Sequence, residues 1–437
     1  VGSVASLFVF FGAGLLVQID AAIPALRVLA PTIFLSGILG VLRGYFQAHK
    51  SMVQTSVSQI VEQILNAVFS ILMADLLLQA AGGTESENGL AYGAAGGAIG
   101  TGIGVLAALL FMVWLYLVNR PFLKRRILHD TGHKEESYQE IFKMIIMVVT
   151  PFILSTFIYN ANTFINQTLY QKLMMDLHGL TDAGVAAHTG IVGKAVKVSN
   201  IPIALSSAMA SALIPGISGE YAKKNLKETR KQVARAVKAT MLISIPAAVG
   251  MGVLAKPVML VLYPQKASID LSSSLLMVLS VSVIFYAVST LSNAVLQSIG
   301  RLNSPVINAA IALVLQTAGL AAMIIFLDES YGPYYYAVTI ILYAFLMCVL
   351  NGAALRKHLR YKQEVGRTFV RPVLASAVMG AAAFFIYQGM YLLLHSNLVS
   401  LFVAVVLAAA VYFVMILLLG AVTEDELKML PKGYLLV

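Results

Sequence analysis

Two lysines stand where a lysine is costly. Lys194 and Lys197 lie inside the apolar stretch 184–214. They are about 10–13 residues from its start, which at roughly 1.5 Å per helical residue is near the middle of a bilayer. Spaced i, i+3, they share one helix face, with Asn200 a step further along it. Glu62 occupies comparable depth in the stretch 53–80, between Gln59 and Gln63. An ionisable side chain at that depth needs water or a counter-charge. Two chemistries meet the need. One is a structural Lys–Glu ion pair between helices; the other is a hydrated cavity whose ammonium groups bind an anion.

A second polar group sits in the stretch 139–169, where Asn160, Asn162, Thr163, Asn166 and Gln167 cluster, with Asn162 and Asn166 at i, i+4. Such side chains line either a cavity or a helix interface, and the spacing allows both. Arg27 falls near the outer end of the stretch 24–47, where snorkelling and a gating role fit equally. Arg43, near the inner end, reads first as a snorkelling residue, and Lys256 as an interfacial one.

The remaining motifs are structural. Gly93, Gly96, Gly97, Gly100, Gly102 and Gly104 follow no strand and show the small-xxx-small spacing of close helix packing, not of a phosphate loop. His129 and His133 have metal-ligand spacing but fall in a charged loop, so no metal or cofactor is expected. Paired catalytic carboxylates, a nucleophile elbow and a Walker sequence are all missing from the sequence, which argues against an enzyme and against an attached ATPase.

The elements that must position these residues follow from composition. Of 437 residues, 59% are hydrophobic and 11% charged, against roughly 25% charged in a soluble domain. Apolar runs of about 20 residues recur along the chain, long enough to cross a bilayer as helices. The pattern predicts an all-α polytopic membrane protein with twelve spans: 4–19, 24–47, 53–80, 90–118, 139–169, 184–214, 237–263, 269–299, 303–327, 332–355, 368–394 and 398–421. Most of the 30 basic residues fall on alternate connections and the tail, including Lys428 and Lys432. The opposite connections are short and acidic. The positive-inside rule then places the basic loops and the C-terminus in the cytoplasm. This also accounts for the net charge of +10 without a nucleic-acid partner. Ser218 to Lys238 reads as a basic amphipathic helix lying on the anionic inner leaflet.

A weak internal repeat is visible at an offset of 250 residues: Phe46-Gln47 aligns with Leu296-Gln297, Met52 with Leu302 and Thr55 with Pro305. If spans 7–10 repeat spans 1–4, then spans 5 and 6 have no counterparts in the first lobe. The expectation is therefore an N-terminally truncated two-lobe bundle, about 12 spans present of 14. Its parts are an N-lobe remnant at 1–118, a cytoplasmic linker at 119–138, a C-lobe at 139–355, and a final helix pair with tail at 356–437.

Three stretches also carry a family likeness. Leu26-Arg27-Val28-Leu29-Ala30-Pro31, Leu42-Arg43-Gly44-Tyr45-Phe46-Gln47, and Ser58-Gln59 with Glu62-Gln63 resemble the stage V sporulation protein B family. Asn200-Ile201-Pro202, the Leu213-Ile214-Pro215 turn and the tail Leu427 to Gly433 extend the match. This is the MurJ-like, polysaccharide-biosynthesis branch of the multidrug/oligosaccharidyl-lipid/polysaccharide (MOP) exporter superfamily. The resemblance implies a MATE/MurJ-like flippase of fourteen helices with a central cationic cavity. It implies a lipid-linked sugar diphosphate substrate, such as lipid II, and a bacterial plasma-membrane location. Lys194 and Lys197 stand where such proteins carry a cationic residue in the eighth helix. Several arginines of the family lie on two helices not found in this chain.

The sequence reading is thus an alternating-access exporter. Arg27, Arg43, Gln59, Glu62, Asn160, Asn162, Asn166, Lys194, Lys197 and Asn200 are its candidate substrate contacts. Anionic membrane lipids, and H+, Na+ or Cl- as a coupling ion, complete the expected partners of a monomer. The rivals are a cation-coupled drug or metabolite antiporter, which would favour acidic residues such as Glu62, and a non-transporting scaffold.

Overall fold

The computed structural model describes every residue except 1, 17–21, 49–52, 84–85, 129–136, 265 and 423–437. Asp20, Lys50, Met52, Glu85, His129, His133, Lys428 and Lys432 fall outside the described residues. The described chain is helical almost throughout and contains no strand. In order, the helices are α1 (Gly2–Leu16), α2 (Ile23–Ala48), α3 (Val53–Ala80), α4 (Glu87–Leu128), α5 (Tyr138–His178), α6 (Asp182–Ala222), α7 (Leu226–Val253), α8 (Ala255–Leu262), α9 (Ile269–Ser298), α10 (Asn303–Phe326), α11 (Gly332–Leu359), α12 (Arg371–Leu394) and α13 (Asn397–Leu418). Among the described residues, nine helices have the length and mean hydropathy to cross a membrane. Large apolar side chains such as Phe11, Ile71 and Phe402 are exposed on their outer faces. Lipid, as opposed to water, is the solvent that tolerates such a surface.

The chain forms two compact units, residues 1–136 and 137–437. In unit 1, α3 and α4 make the most intimate contact, and the α4 glycines explain it. A methyl group added at Gly96 would collide with the Met73 carbonyl, and one at Gly100 with the Ser70 backbone; at Gly104 it would lie 2.6 Å from the Glu62 carbonyl. Gly96, Gly100 and Gly104, four residues apart, are therefore glycines because the α3 backbone passes directly over them. Polar bonds close the seam. Ser70 Oγ donates to the Gly97 carbonyl at 2.9 Å, and Thr101 Oγ1 donates to Asn66 Oδ1 at 3.2 Å.

Unit 2 is built on α9, which packs on α6, α7 and α11 and buries Leu275, Leu276, Leu279, Val283 and Leu291. Its helix ends are set locally. Ser137 and Glu140 form a reciprocal capping box at the start of α5, and Gly179 ends α5 in the left-handed conformation. Asn397 Nδ2 of α13 donates to the Pro257 carbonyl of α8 at 3.1 Å, and Tyr412 of α13 donates to the Leu242 carbonyl of α7 at 2.8 Å. These bonds fasten α13 to the rest of unit 2.

The two units share a packing order. In unit 1, α2 lies against α4 and scarcely touches α3; in unit 2, α9 lies against α11 and scarcely touches α10. Two sequence expectations change. Residues 237–263 are not one helix, because the chain breaks at Leu254 into α7 and α8. Ser218 to Lys238 is not a surface helix. It is the end of α6, a turn with Lys224 at φ 59°, and the first half of α7, which Asn225 caps by accepting from the Glu228 amide. Val233 and Val237 pack with Ile217 in the core of unit 2.

Candidate transport site

The polar cluster of α5 is both a helix interface and a cavity wall. Asn166 is 1% exposed. Its Nδ2 donates to the carbonyl and to Oδ1 of Asn162, each at 2.7 Å, and its own Oδ1 accepts from Thr317 Oγ1 of α10 at 3.3 Å. The two asparagines thereby tie α5 to α10. With Thr163 and Gln167 of α5, they also face a cavity of about 330 Å³. Its other walls are Thr189, Ser199 and Asn200 of α6, Ser282 and Tyr286 of α9, Gln316 of α10 and Tyr336 of α11. Among the described residues, no charged side chain lines it. The Tyr336 ring stacks on buried Tyr170 with centroids 5.4 Å apart, and Tyr170 Oη lies 3.2 Å from His188 Nδ1.

The lysines occupy the adjoining face of α6. Gly193, Val196, Ser199 and Asn200 face the cavity; Lys194 and Lys197 do not line it. At 100° per residue, they project from the stripe that also carries Gly190, Ile201 and Leu205, all exposed. Lys194 is half-buried, with Nζ 5.8 Å from the centroid of the Tyr263 ring, and Lys197 is exposed. The ring face attracts an ammonium and helps to hold it in position. Asn200 borders both surfaces; Asn160 of α5 is exposed.

In unit 1, the partner of Glu62 is Arg43. Arg43 Nη2 donates to Glu62 Oε2 at 2.6 Å, and its Nε donates to Ser58 Oγ at 2.8 Å. This corrects two expectations at once: Glu62 is paired with an arginine, and Arg43 turns inward instead of snorkelling. The reason is register. Antiparallel α2 and α3 bring the last turns of one beside the first turns of the other, within an arginine's reach. Gln59 and Arg27 are exposed. Sequence reasoning missed Gln316, Ser282, Tyr286 and Tyr336. Gln316 had a usable signal, as the only charged or amide side chain between Asn308 and the end of α10.

Two units of long apolar helices, with a polar cavity inside the second, define a polytopic membrane fold. Solved structures share it. One is the lipid II flippase MurJ in an inward closed conformation, with TM-score 0.66, 15% identity, and 95% of this chain and 82% of that one covered. Another is the inward-facing conformation of a multidrug resistance MATE family transporter of the MOP superfamily, with TM-score 0.64, 15% identity, and coverage of 82% and 78%. The chain belongs to the lipid II flippase MurJ family, whose family model matches residues 16–408. It is 25% identical over 411 residues to the lipid II flippase MurJ of Bacillus subtilis, covering 90% of this chain and 71% of that protein. It is 22% identical over 410 residues to the stage V sporulation protein B of the same organism, covering 93% and 75%.

Proposed function

We propose that this protein moves a lipid-linked sugar diphosphate, lipid II or a related undecaprenyl-pyrophosphate precursor, outward across a bacterial plasma membrane by alternating access. The observation that carries the reading is the lysine pair on one face of α6, Lys194 half-buried and Lys197 exposed, in a chain of this family. A diphosphate at membrane depth is prohibitive without positive charge beside it, and Lys194 and Lys197 supply two such charges on one face. The polyprenyl tail needs no polar path and stays in lipid. With the cytoplasm negative, moving two negative charges outward is favoured by about 4–5 kcal/mol per 100 mV, so export needs no ATP. H+, Na+ or Cl- as coupling ion, the cytoplasmic basic loops and the twelve-span topology belong to the same proposal.

The antiporter reading is weaker here. Cationic cargo calls for a free carboxylate, and the Glu62 carboxylate is already held by Arg43. The deciding experiment reconstitutes the full-length protein in vesicles with a fluorescent lipid-linked precursor and an impermeant quencher. Protein-dependent translocation is expected, together with build-up of the precursor, identified by mass spectrometry, when the protein is depleted in cells. Uptake of a cationic dye without precursor translocation would establish the antiporter instead.

A further inference from the structure

The neutral cavity beside the lysine stripe has walls that ask for hydrogen-bond donors. Ser199 Oγ gives its proton to the Val196 carbonyl at 2.9 Å, Ser282 Oγ to Leu279 at 2.6 Å and Thr189 Oγ1 to Val185 at 3.1 Å. Each hydroxyl has one proton, so what it turns toward the cavity is lone pairs. Gln316 is 2% exposed, and its Oε1 has no donor among the described residues. A buried acceptor of this kind is a deficit that a ligand can fill.

From this geometry we infer that the cavity holds a sugar ring of the cargo: a neutral hexose unit bearing hydroxyl and amide groups, seated among Gln316, Ser282, Ser199 and Tyr336. The inference rests on the flippase reading and specifies which part of the cargo goes where. Sugar hydroxyls supply donors to these oxygens, and the exposed amides of Gln167 and Asn200 offer both donors and acceptors at the mouth. The Tyr336 ring, fixed by its stack on Tyr170, gives a rigid apolar wall for a pyranose face. The alternatives fit less well. An anion finds no positive charge on these walls, and a cationic drug finds no carboxylate. A bare metal ion is far too small: the cavity of about 330 Å³ exceeds the roughly 30 Å³ share of one water about tenfold. It reaches the lower end of small-molecule pockets, about 300–1,000 Å³. Because Asn200 borders both surfaces, the diphosphate and its attached sugar sit on neighbouring faces of one helix.

The test uses the purified full-length protein in nanodiscs and two probes, the methyl glycoside of an N-acetylhexosamine and a polyprenyl diphosphate carrying no sugar. Binding is read by calorimetry and by the rise in Tm. Gln316→Leu is expected to weaken the glycoside at least tenfold and leave the sugarless diphosphate within twofold. Lys194→Gln with Lys197→Gln is expected to do the reverse. Thr163→Val, at an exposed position of the wall, is run alongside in case Gln316→Leu fails to fold, and is expected to weaken the glycoside alone. Equal glycoside affinity in wild type and in the folded cavity variants would overturn the inference. So would a Tm rise with NaCl but not KCl, lost in the cavity variants, since it would make this a cation site. Failure of the wild type to bind the sugarless diphosphate would count against the flippase reading, while the glycoside arm still decides the cavity.

Discussion

Arg43 of α2 and Glu62 of α3 meet at 2.6 Å, with side chains only 16% and 19% exposed. Ser58 Oγ occupies a further guanidinium donor and passes its own proton to the Thr55 carbonyl at 2.9 Å. The pair ties α2 to α3 as a charge-neutral clamp. Removing one partner strands the other in a poorly hydrated site. Arg43→Gln or Glu62→Gln alone should therefore cost roughly 1–3 kcal/mol, less than for a fully buried pair. The double variant should recover part of that loss. Thermal unfolding of all four proteins in one detergent gives the coupling energy, and additive losses would show that the two side chains act independently.

Gly100→Leu should separate α3 from α4, since even a Cβ there meets the Ser70 backbone. Overpacking of this kind typically costs about 1–3 kcal/mol, and more where the obstacle is backbone. Gly97 has nothing within 4 Å of an added Cβ, so Gly97→Ala should be neutral or gain up to about 1 kcal/mol from helix propensity. Size-exclusion profiles and Tm after heating distinguish the two positions.

Lys194→Gln combined with Lys197→Gln should abolish precursor flipping and leave the folded yield unchanged, because neither lysine is fully buried. Arginine at both positions should retain part of the activity, since the charge is kept and only its geometry changes. A double glutamine variant that flips at the wild-type rate in vesicles would remove the lysines from the site.

Topology is checked by impermeant thiol reagents after Cys348→Ala. A cysteine at Glu329, in the short turn between α10 and α11, should label from outside intact cells. One at Arg360, just after α11, should label only after permeabilisation. The opposite pattern would invert the orientation read from the basic loops.

The helices were legible because apolar runs of membrane length dominate the chain, and their edges agree closely for α3, α9, α10 and α13. At α4, α5 and α6 the helices run past the apolar runs by two turns or more, to Leu128, His178 and Ala222. Hydropathy marks only the lipid-crossing part, whereas backbone hydrogen bonding continues into water. The break at Leu254 lies three residues before Pro257, which has no N–H to give the Val253 carbonyl, yet the unbroken apolar run across it reads as one span. Depth along a helix was readable, and it drew attention to Glu62 and the lysines. Rotation and pairing were not: the partner of Glu62 depends on the register of α2 against α3, which no periodicity encodes. The cavity escaped because Ser282 and Tyr286, Gln316, and Tyr336 lie on three helices far apart in the sequence. Only folding makes them a group.

The glycine seam of α3 and α4 bears on how the protein is made. These helices are neighbours in the chain, joined by the short stretch after Ala80, and their contact consists of backbone laid on backbone with two polar bonds across it. Nothing in that contact waits for later sequence. The hairpin can be inserted and closed while more than 300 residues are still to be synthesised, at a time when contacts between distant segments are not yet available. A substitution in the seam would then act early, at the translocon, and appear as protein degraded during synthesis, not as a finished transporter that works poorly.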